Sequence, residues 1–413
     1  MRRIMYHYQR TALIICSSLL LFSCGRSTPP VAGISSSAPL GALGVKQPTS
    51  IPFDTTFDGD GIAVTPLGSD PAVNSSSVKA VQQADGRIVA ATNLGQDDVQ
   101  IAVVRYNANG SLDTSFGTGG QVIFNPTLPV PDGTPGADTV NDLLVQPDGR
   151  IVLVGVETST GRNAVVYRLL PTGQLDPTFG AGGVARLEDG IAVQVLRLLD
   201  GSLLVRTGTA LTKLTAAGTP DLTFGTSGTV TVSSNTQDLA VQSSGRILLG
   251  TETAILGLTP AGTPDPSFGT NGEAGFGSAA VPYFRFLVLP GDGIFVAADV
   301  YTGEANQGTF FRFTPQGTLD TTFGQGGTVA FDSSLGFSTL VLTPKNDVLI
   351  YPAIYDKNGK LKELLPSSTT FRDTGFSRGS AVTYQRDGKL LLPGNFTAPG
   401  STTFTFAVAR LRP

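Results

Sequence analysis

From residue 51 onward, short apolar runs alternate with clusters of turn-forming residues. One repeat shows the pattern clearly, with apolar runs at 121–124, 140–146, 151–156 and 164–170. Runs of this length, bounded by Gly, Pro, Asp and Asn, are typical of β-strands and are too short for ordinary helices. The pattern therefore predicts four antiparallel strands in each repeat of about 50 residues.

A phrase of the form D-x-x-F-G-x-x-G separates one group of strands from the next. It reads LDTSFGTGG at 112–120 and LDTTFGQGG at 319–327, with an early copy, FDTTFDGDG, at 53–61 and a degraded copy, SSTTFRDTG, at 367–375. Its phenylalanine recurs at Phe57, Phe116, Phe179, Phe224, Phe268, Phe323 and Phe371. A period of this size indicates a repeat architecture, and these repeats run nearly the whole length of the chain.

A second marker, usually Asp-Gly, lies between the second and third apolar runs of each repeat. It occurs at Asp85-Gly86, Asp148-Gly149, Asp200-Gly201, Ser244-Gly245, Asp292-Gly293, Asn346-Asp347 and Asp387-Gly388. Asp-Gly between apolar runs predicts a β-hairpin with a type I′ turn, because that turn needs positive φ at both central positions. The seven predicted hairpins match the seven phrases.

These markers together predict an all-β protein, a seven-bladed β-propeller of four-stranded antiparallel blades. A β-solenoid is the alternative, but it uses shorter repeats and needs no hairpin in each. The last repeat ends at 404–413 without a following phrase, and the phrase at 53–61 has no strand before it. We therefore expect the N- and C-terminal segments to join and close the ring, which leaves few exposed sheet edges.

The phrases LDTSFG and QPDGRIVLVG also resemble the delta-60 repeat family of bacterial proteins. The resemblance covers residues 51–413 and implies a propeller fold. It implies no known activity.

The first residues have the build of an export signal. A basic start is followed by an apolar run from Ala12 to Phe22, and Cys24 comes directly after Ser23. The segment LFSC resembles a bacterial lipobox, which implies that residues 1–23 are a cleaved signal peptide and that Cys24 is lipidated. Residues 24–50, rich in Ser, Pro and Gly, then form a flexible tether before the propeller at 51–413. The alternative is an ordinary secretory signal with a coincidental cysteine.

Composition narrows the possible chemistry. The chain has a net charge of −4, and removal of residues 1–23, which hold three arginines and no acid, makes it −7. A mildly acidic protein without a basic patch is not expected to bind nucleic acid. The only histidine, His7, lies in the leader, so the mature chain cannot use a histidine base or a histidine-ligated metal.

Carboxylate chemistry remains open, as in a glycan hydrolase or lyase. Acids near the first or second strands of their repeats are Asp142, Glu188, Asp238 and Glu273. Their spacing does not separate catalytic carboxylates from solvated or capping ones, and we name no catalytic residue. No cofactor is predicted, except that Asp54, Asp58 and Asp60 in the first phrase are weak candidates for a calcium site. The alternative is structural: Asp caps a turn, Phe packs between blades and Gly permits the bend.

Long irregular loops offer a second kind of candidate site. The first-to-second and third-to-fourth connections of an antiparallel blade emerge on one face, and the hairpins and phrases emerge on the other. Blades one, two and seven carry most of the long loops, and their polar residues are binding candidates: Asp97, Asp98, Asp132, Asp138, Glu157 and Arg162. We therefore expect a monomeric, lipid-anchored envelope protein that binds or scaffolds a protein or glycan partner. The alternatives are the carboxylate enzyme and a purely structural surface protein.

Overall fold

The computed structural model describes residues 51–67, 73–95, 99–124, 138–158, 163–187, 190–232, 235–277, 280–301, 306–332, 339–366, 371, 374, 376–379, 381–401 and 404–412. Within these residues the strands form seven antiparallel sheets, arranged as the blades of a seven-bladed β-propeller. Blade number, strand number and strand direction confirm the fold predicted from the repeats. In this part of the chain, no helix has the length and apolar character needed to cross a membrane.

The strands follow each other along the chain, and each of the first six blades uses four consecutive strands. The first described strand is β1 (Ile62–Thr65), which belongs to the last blade. Blades 1 to 3 contain β2 (Val73–Gln82), β3 (Ile88–Leu94), β4 (Gln100–Tyr106) and β5 (Gln121–Phe124); β6 (Thr139–Val145), β7 (Ile151–Glu157), β8 (Asn163–Leu169) and β9 (Val184–Arg186); and β10 (Gln194–Arg197), β11 (Leu203–Arg206), β12 (Ala210–Leu214) and β13 (Thr229–Thr231).

The remaining blades repeat this order. Blades 4 to 6 contain β14 (Asp238–Val241), β15 (Ile247–Gly250), β16 (Ala254–Leu258) and β17 (Glu273–Gly275); β18 (Ala280–Val288), β19 (Ile294–Tyr301), β20 (Asn306–Phe313) and β21 (Thr328–Phe331); and β22 (Leu340–Leu342), β23 (Val348–Ile350), β24 (Ala353–Tyr355) and β25 (Leu361–Leu364). Blade 7 contains β26 (Phe376–Arg378), β27 (Thr383–Tyr384), β28 (Leu390–Phe396) and β29 (Thr405–Leu411), completed by β1.

The two ends of the propeller meet in blade 7. Strand β1 pairs antiparallel with β29, with Ile62 opposite Ala409 and Thr65 opposite Phe406. Strands β26 and β27 both pair with β28, so the inner edge of this blade is one strand interrupted in the middle. The N-terminal segment thus supplies the outermost strand of the last blade, which confirms the predicted closure of the ring.

The middle strands of the blades are buried because each blade packs between two neighbours. Every residue of β3 and of β7 is buried. A strand that is covered on both faces reads as a continuous apolar run, as these two do. The hydrophobic clusters accordingly join residues of adjacent blades, for example Val89 of blade 1 with Leu153 of blade 2.

The phenylalanine phrase folds as a turn beneath the neighbouring blade. In blade 2, Asp176 Oδ1 accepts hydrogen bonds from the backbone N–H and the hydroxyl of Thr178, at 3.0 and 2.7 Å. Phe179 is fully buried, and Gly180 N–H donates to the carbonyl of Ala217 in blade 3 at 2.7 Å. Gly180 has a φ of 52°, and a Cβ there would lie 2.2 Å from the carbonyl oxygen of Val184.

A cation clamps each of the six described phrase aspartates, and in five cases it is an arginine that also reaches the next blade. Arg168 donates from Nε to Asp176 Oδ2 at 2.8 Å and from Nη1 to the carbonyl of Ala216 in blade 3 at 2.5 Å. Its guanidinium also lies over the Phe179 ring. The same Nη1 bond to the next blade joins Arg105 to Pro171, Arg246 to Pro315, Arg312 to Lys357 and Arg410 to Ala108.

The hairpins occur where the Asp-Gly pairs predicted them, but the predicted turn type is wrong. In blade 1, Gln83 N–H donates to the Arg87 carbonyl and Gly86 N–H donates to the Gln83 carbonyl, at 2.7 and 3.1 Å. Gly86 has a φ of 90°, whereas Asp85 has no positive φ. The loop therefore has three residues, with one left-handed position at its end, and a type I′ turn would need two.

Candidate ligand-binding channel

The innermost strands of all seven blades surround a central channel. First strands of neighbouring blades contact each other, as β2 does with β6 and β14 does with β18. The cavity between them has a volume of about 840 Å³ and is lined by residues of every blade. A cavity of this size is in the usual range for small-molecule sites.

One residue from each blade occupies the same level in the channel. This residue lies seven positions before the left-handed residue of its hairpin turn, for instance Lys79 before Gly86 and Asp142 before Gly149. We call the seven residues the channel ring; in blade order they are Lys79, Asp142, Gln194, Asp238, Arg285, Thr339 and Ala381. Strand pairing confirms the shared level for blades 1 to 5. In each of these blades the ring residue pairs with a residue of the second strand, three pairs beyond the one next to the hairpin, as Lys79 does with Ala91.

The two ring acids connect their own blade to the next. Asp142 accepts hydrogen bonds from Lys79 Nζ at 2.5 Å, from its neighbour Leu143 N–H at 2.8 Å and from Val195 N–H of blade 3 at 2.9 Å. Asp238 accepts from Leu239 N–H and from Phe286 N–H of blade 5, both at 2.9 Å. Both carboxylates are buried and are held by these donors, which suits a structural role in the ring.

The cations of the channel are placed around these acids. Arg206 is buried and donates from Nε to Gln194 Oε1 at 2.9 Å and from Nη1 to the Thr236 carbonyl at 2.8 Å. Burial lowers the pKa of Arg206 to about 10, against the opposing attraction of Asp238, so it stays protonated at neutral pH. Arg285 donates to the carbonyl of Gln237 and lies over the ring of Tyr283, with Cζ 4.8 Å from its centroid.

The lining carries more positive than negative charge. The cations are Lys79, Arg197, Arg206 and Arg285, and the acids are Asp142 and Asp238. The chain as a whole is acidic, with a net charge of −4. The channel is therefore an electropositive region in an acidic protein, and it can attract anions.

Two of the six predicted loop-face residues lie within the described chain. Asp138 and Glu157 are buried in blade 2, where Glu157 accepts from Arg186 Nε at 2.6 Å and from Nη2 at 3.1 Å. Asp138 Oδ1 accepts from Thr158 N–H at 3.1 Å. The other four, Asp97, Asp98, Asp132 and Arg162, lie outside the described residues, so the loop-face site stays a prediction.

The candidate calcium residues are engaged in turn structure. Asp54 Oδ1 accepts from Thr56, and its Oδ2 lies 2.7 Å from Arg410 Nε and 3.1 Å from Lys389 Nζ. Asp58 is exposed, and Asp60 Oδ1 accepts from Ile62 N–H at 2.8 Å. Among the residues with described positions, no three acid, histidine or cysteine side chains come together as metal ligands.

The channel residues were mostly missed by sequence reasoning. Asp142 and Asp238 were named as acids near inner strands, but Glu273 is exposed on an outer strand and Glu188 lies outside the described residues. Lys79, Gln194, Arg206 and Arg285 were not singled out. A count of seven positions back from the glycine of each Asp-Gly pair finds Lys79 and Gln194, because a common register sets the level in the channel. It misses Arg285, whose turn has its left-handed residue at Asp292, and Arg206, which lies on a second strand.

The fold defines the class of this protein as a seven-bladed β-propeller. Two segments, 83–116 and 146–179, match the profile of a family described as a domain of unknown function (DUF5122) beta-propeller. Each segment runs from the glutamine before a hairpin turn to the phrase phenylalanine, which supports a β-propeller repeat family. A search of curated protein sequences finds no match.

Solved structures with a similar chain trace are distant in sequence. Virginiamycin B lyase from Staphylococcus aureus is 11% identical, with a TM-score of 0.46, over 85% of this chain and 99% of that one. Polysaccharide lyase Uly1 is 10% identical, with a TM-score of 0.46, over 85% and 92%. The extracellular domain of a candidate one component system from B. thetaiotaomicron is 10% identical, with a TM-score of 0.44; 86% of this chain spans 40% of that domain.

Proposed function

We propose that this protein is an exported lipoprotein whose β-propeller is a binding module, and that its ligand enters the central channel. The observation that carries the proposal is the channel ring, in which five polar side chains and two small residues from seven blades line one cavity of about 840 Å³. A rigid scaffold that brings polar groups from many strands to one cavity is the usual basis of a small-molecule site.

Access to the ring is expected from the face on which the inner strands begin. In blades 3 and 4 the ring residues Gln194 and Asp238 are the first residues of β10 and β14. The loops before inner strands belong to the face that the sequence predicts to carry the long irregular loops. A ligand that enters there would pass the predicted loop-face residues, so the two candidate sites are compatible.

Export and lipid anchoring rest on the leader. The basic start, the apolar run and Cys24 directly after Ser23 support a signal peptide and a lipidated mature N-terminus. Residues 25–50 would then tether the propeller outside the membrane, with a reach of about 25–30 Å as a flexible coil.

The carboxylate enzyme is the second candidate, and the bonds of the ring acids favour binding over it. A catalytic pair needs one carboxylate that can give or take a proton at the substrate. Asp142 and Asp238 accept hydrogen bonds from backbone N–H groups of their own and the next blade, and Asp142 also pairs with Lys79. Both acids therefore serve the joints between blades.

Binding in the channel can be tested by placing a bulky side chain in it. The full-length protein in detergent is mixed with a panel of probes, namely glucose, glucuronate, citrate, inorganic phosphate, glycine and spermidine, and its melting temperature is recorded. We expect at least one probe to raise the melting temperature of the wild type and of Ala381→Ser, and not that of Ala381→Trp, which places a bulky indole at the level of the ring. A shift that persists in Ala381→Trp, or a wild type that no probe stabilises, would contradict the proposal.

A further inference from the structure

The channel ring is uneven, because its bulk is concentrated in five consecutive blades. Blades 1 to 5 contribute Lys79, Asp142, Gln194, Asp238 and Arg285, all of them long or branched polar side chains. Blades 6 and 7 contribute Thr339 and Ala381, which are small. Space at the level of the ring is therefore greatest on the side of blades 6 and 7, a region we call the ring gap.

The two edges of the ring gap both carry a cation. Arg285 of blade 5 precedes Thr339 around the ring, and Lys79 of blade 1 follows Ala381. The acids Asp142 and Asp238 belong to blades 2 and 4, each next to one of these cations on the side away from the gap, and Asp142 pairs with Lys79 at 2.5 Å. The blades that border the gap therefore carry the positive side chains of the ring.

The acids are held by backbone donors as well as by a cation. Asp142 and Asp238 together accept four backbone N–H groups, two from their chain neighbours Leu143 and Leu239 and two from Val195 and Phe286 in the next blade, and Asp142 also pairs with Lys79. Arg206, buried behind the ring, adds a positive charge that its partners Gln194 and Thr236, both uncharged, do not cancel. In a cavity of low dielectric such a surplus favours an incoming anion.

The ring cations have donors beyond those they use within the protein. Arg285 uses Nη1 for the Gln237 carbonyl and also hydrogen-bonds the Tyr283 side chain, and a guanidinium has five N–H donors in a planar fork. Lys79 pairs with Asp142, but 36% of its side chain is exposed and an ammonium group has three donors. Thr339 and Thr383 add hydroxyl groups to the lining beside the gap. Cations with adjacent hydroxyls match the hydrogen-bonding needs of a carboxylate or phosphate.

Resting on the proposed function, we infer that the ligand of this channel is a small anion, a carboxylate or phosphate compound, whose charged group lies in the ring gap between Arg285 and Lys79. The apolar residues two positions beyond the ring, including Leu196, Ala240, Leu287 and Val341, line the channel toward the hairpin face. They offer no charged partner, and Arg197, the lining cation beyond them, is exposed to solvent, so we assign recognition of the anionic group to the ring.

Calorimetric titration of the full-length protein with glucuronate, glucose and inorganic phosphate tests the inference. Glucuronate has a carboxylate where glucose has a hydroxymethyl group, so the pair isolates the charge. We expect glucuronate, phosphate or both to bind, with any glucose binding at least about tenfold weaker than that of glucuronate, the factor that corresponds to 1.4 kcal/mol. Tight binding of phosphate alone would assign the anion as a phosphate compound, and tight binding of glucuronate alone as a carboxylate. Raising the NaCl concentration from about 50 to about 500 mM should weaken the binding of the anion.

Two pairs of variants separate charge from folding. Arg285→Gln should weaken anion binding about tenfold or more, the usual effect of losing one hydrogen bond to a charged group, whereas Lys345→Gln, which removes an exposed cation of the blade 6 hairpin that does not line the channel, should leave it unchanged. If Arg285→Gln does not fold, Ala381→Glu and Ala381→Gln differ only in charge within the gap, and only the glutamate should abolish binding.

The possible failures are distinguishable. Loss of binding in Ala381→Trp identifies the channel as the site. The anion inference is nevertheless overturned if glucose binds as well as glucuronate, or if neither Arg285→Gln nor Ala381→Glu has an effect. If the anion binds equally well to Ala381→Trp, the proposed function itself is wrong. If neither anion binds the wild type, the anion inference is overturned, while the probe panel decides the proposed function.

Discussion

Arg410 in the last strand and Asp54 in the first phrase form a buried ion pair, with Nε and Oδ2 2.7 Å apart. The same arginine donates from Nη1 to the carbonyl of Ala108 in blade 1, and its backbone N–H donates to the Gly61 carbonyl at 2.8 Å. One residue thus connects the C-terminal strand, the N-terminal phrase and the neighbouring blade. The clamp that joins successive blades elsewhere also closes the ring.

Breaking this closing pair should destabilise the whole propeller. We expect Arg410→Met to lower the free energy of unfolding by about 3 kcal/mol, at the low end for a broken buried ion pair, because Lys389 Nζ stays 3.1 Å from Asp54. Arg412→Met is the control, since Arg412 is exposed and should change stability by less than about 0.5 kcal/mol. Urea unfolding curves measure both, and equal midpoints for the two variants would refute the closing role of Arg410.

Blade 3 has a lysine at the register position where blades 1, 2, 5 and 7 have the clamping arginine. Lys213 occupies the register position of Arg168 and contacts Asp221 at 2.9 Å, but a lysine lacks the fork that lets Arg168 reach Asp176 and Ala216 together. We expect Lys213→Arg to raise stability by about 1 kcal/mol through a bond to the carbonyl of Pro260. The reverse change, Arg168→Lys, should lower it by a similar amount or more. Melting temperatures that move in the same direction for both substitutions would contradict the clamp.

The phrase aspartates should make the propeller sensitive to acid. Burial alone would raise the pKa of Asp176, but hydrogen bonds from Thr178 and the charge of Arg168 outweigh it and lower the pKa to about 2. Unfolded aspartate has a pKa of about 3.9. The folded state therefore binds fewer protons between these values, and the stability from this group is complete above about pH 4 and is lost as the pH falls toward 2.

Melting temperature measured from pH 7 to pH 2 follows this loss. We expect a plateau above about pH 5 and a steep fall below pH 4. Asp54 and Asp221, whose pKa values are also lowered to about 2, should contribute to the fall. Asp176→Asn should start from a lower plateau and fall less steeply, whereas Asp85→Asn, in an exposed hairpin turn, should follow the wild type. A melting temperature that is flat down to pH 2 would exclude this mechanism.

Lipid anchoring makes a prediction at the other end of the chain. If the proposed anchor is correct, Cys24→Ser should move the protein from the membrane fraction to the soluble fraction, because the thiol that would accept the lipid is gone. Cys16→Ser is the matched control: it removes the other cysteine of the chain and should leave the protein with the membrane. Fractionation followed by detergent partitioning measures both. Unchanged partitioning of Cys24→Ser would rule out the anchor.

More of the fold than of the candidate site can be predicted from the sequence. The phrase phenylalanine occurs seven times and a hairpin glycine occurs in six of the seven repeats, and these are local signals that a single chain displays. The turn type was wrong because Asp85 and Gly86 are compatible with two hairpin geometries, and the ladder between Gln83 and Arg87 selects the three-residue loop. Local sequence does not distinguish them.

The channel ring depends on distances that span several blades. Lys79 and Asp142 are 63 positions apart in the chain, and their contact at 2.5 Å exists only because the inner strands of blades 1 and 2 share a register. Arg206 reaches the channel from a second strand, which no count from the hairpin glycine includes. Periodicity reveals which residues repeat, whereas this site is made of residues that differ between repeats.

The central claim is that an anion binds in the ring gap, and a crystal structure of the protein soaked with whichever of glucuronate and phosphate binds tests it most directly. We expect density for this anion in the central channel, with its charged oxygens within about 3 Å of the Arg285 guanidinium, the ordinary length of a charge-assisted hydrogen bond, and beside Ala381. Density on the long-loop face or on the hairpin face, with an unoccupied channel, would contradict it.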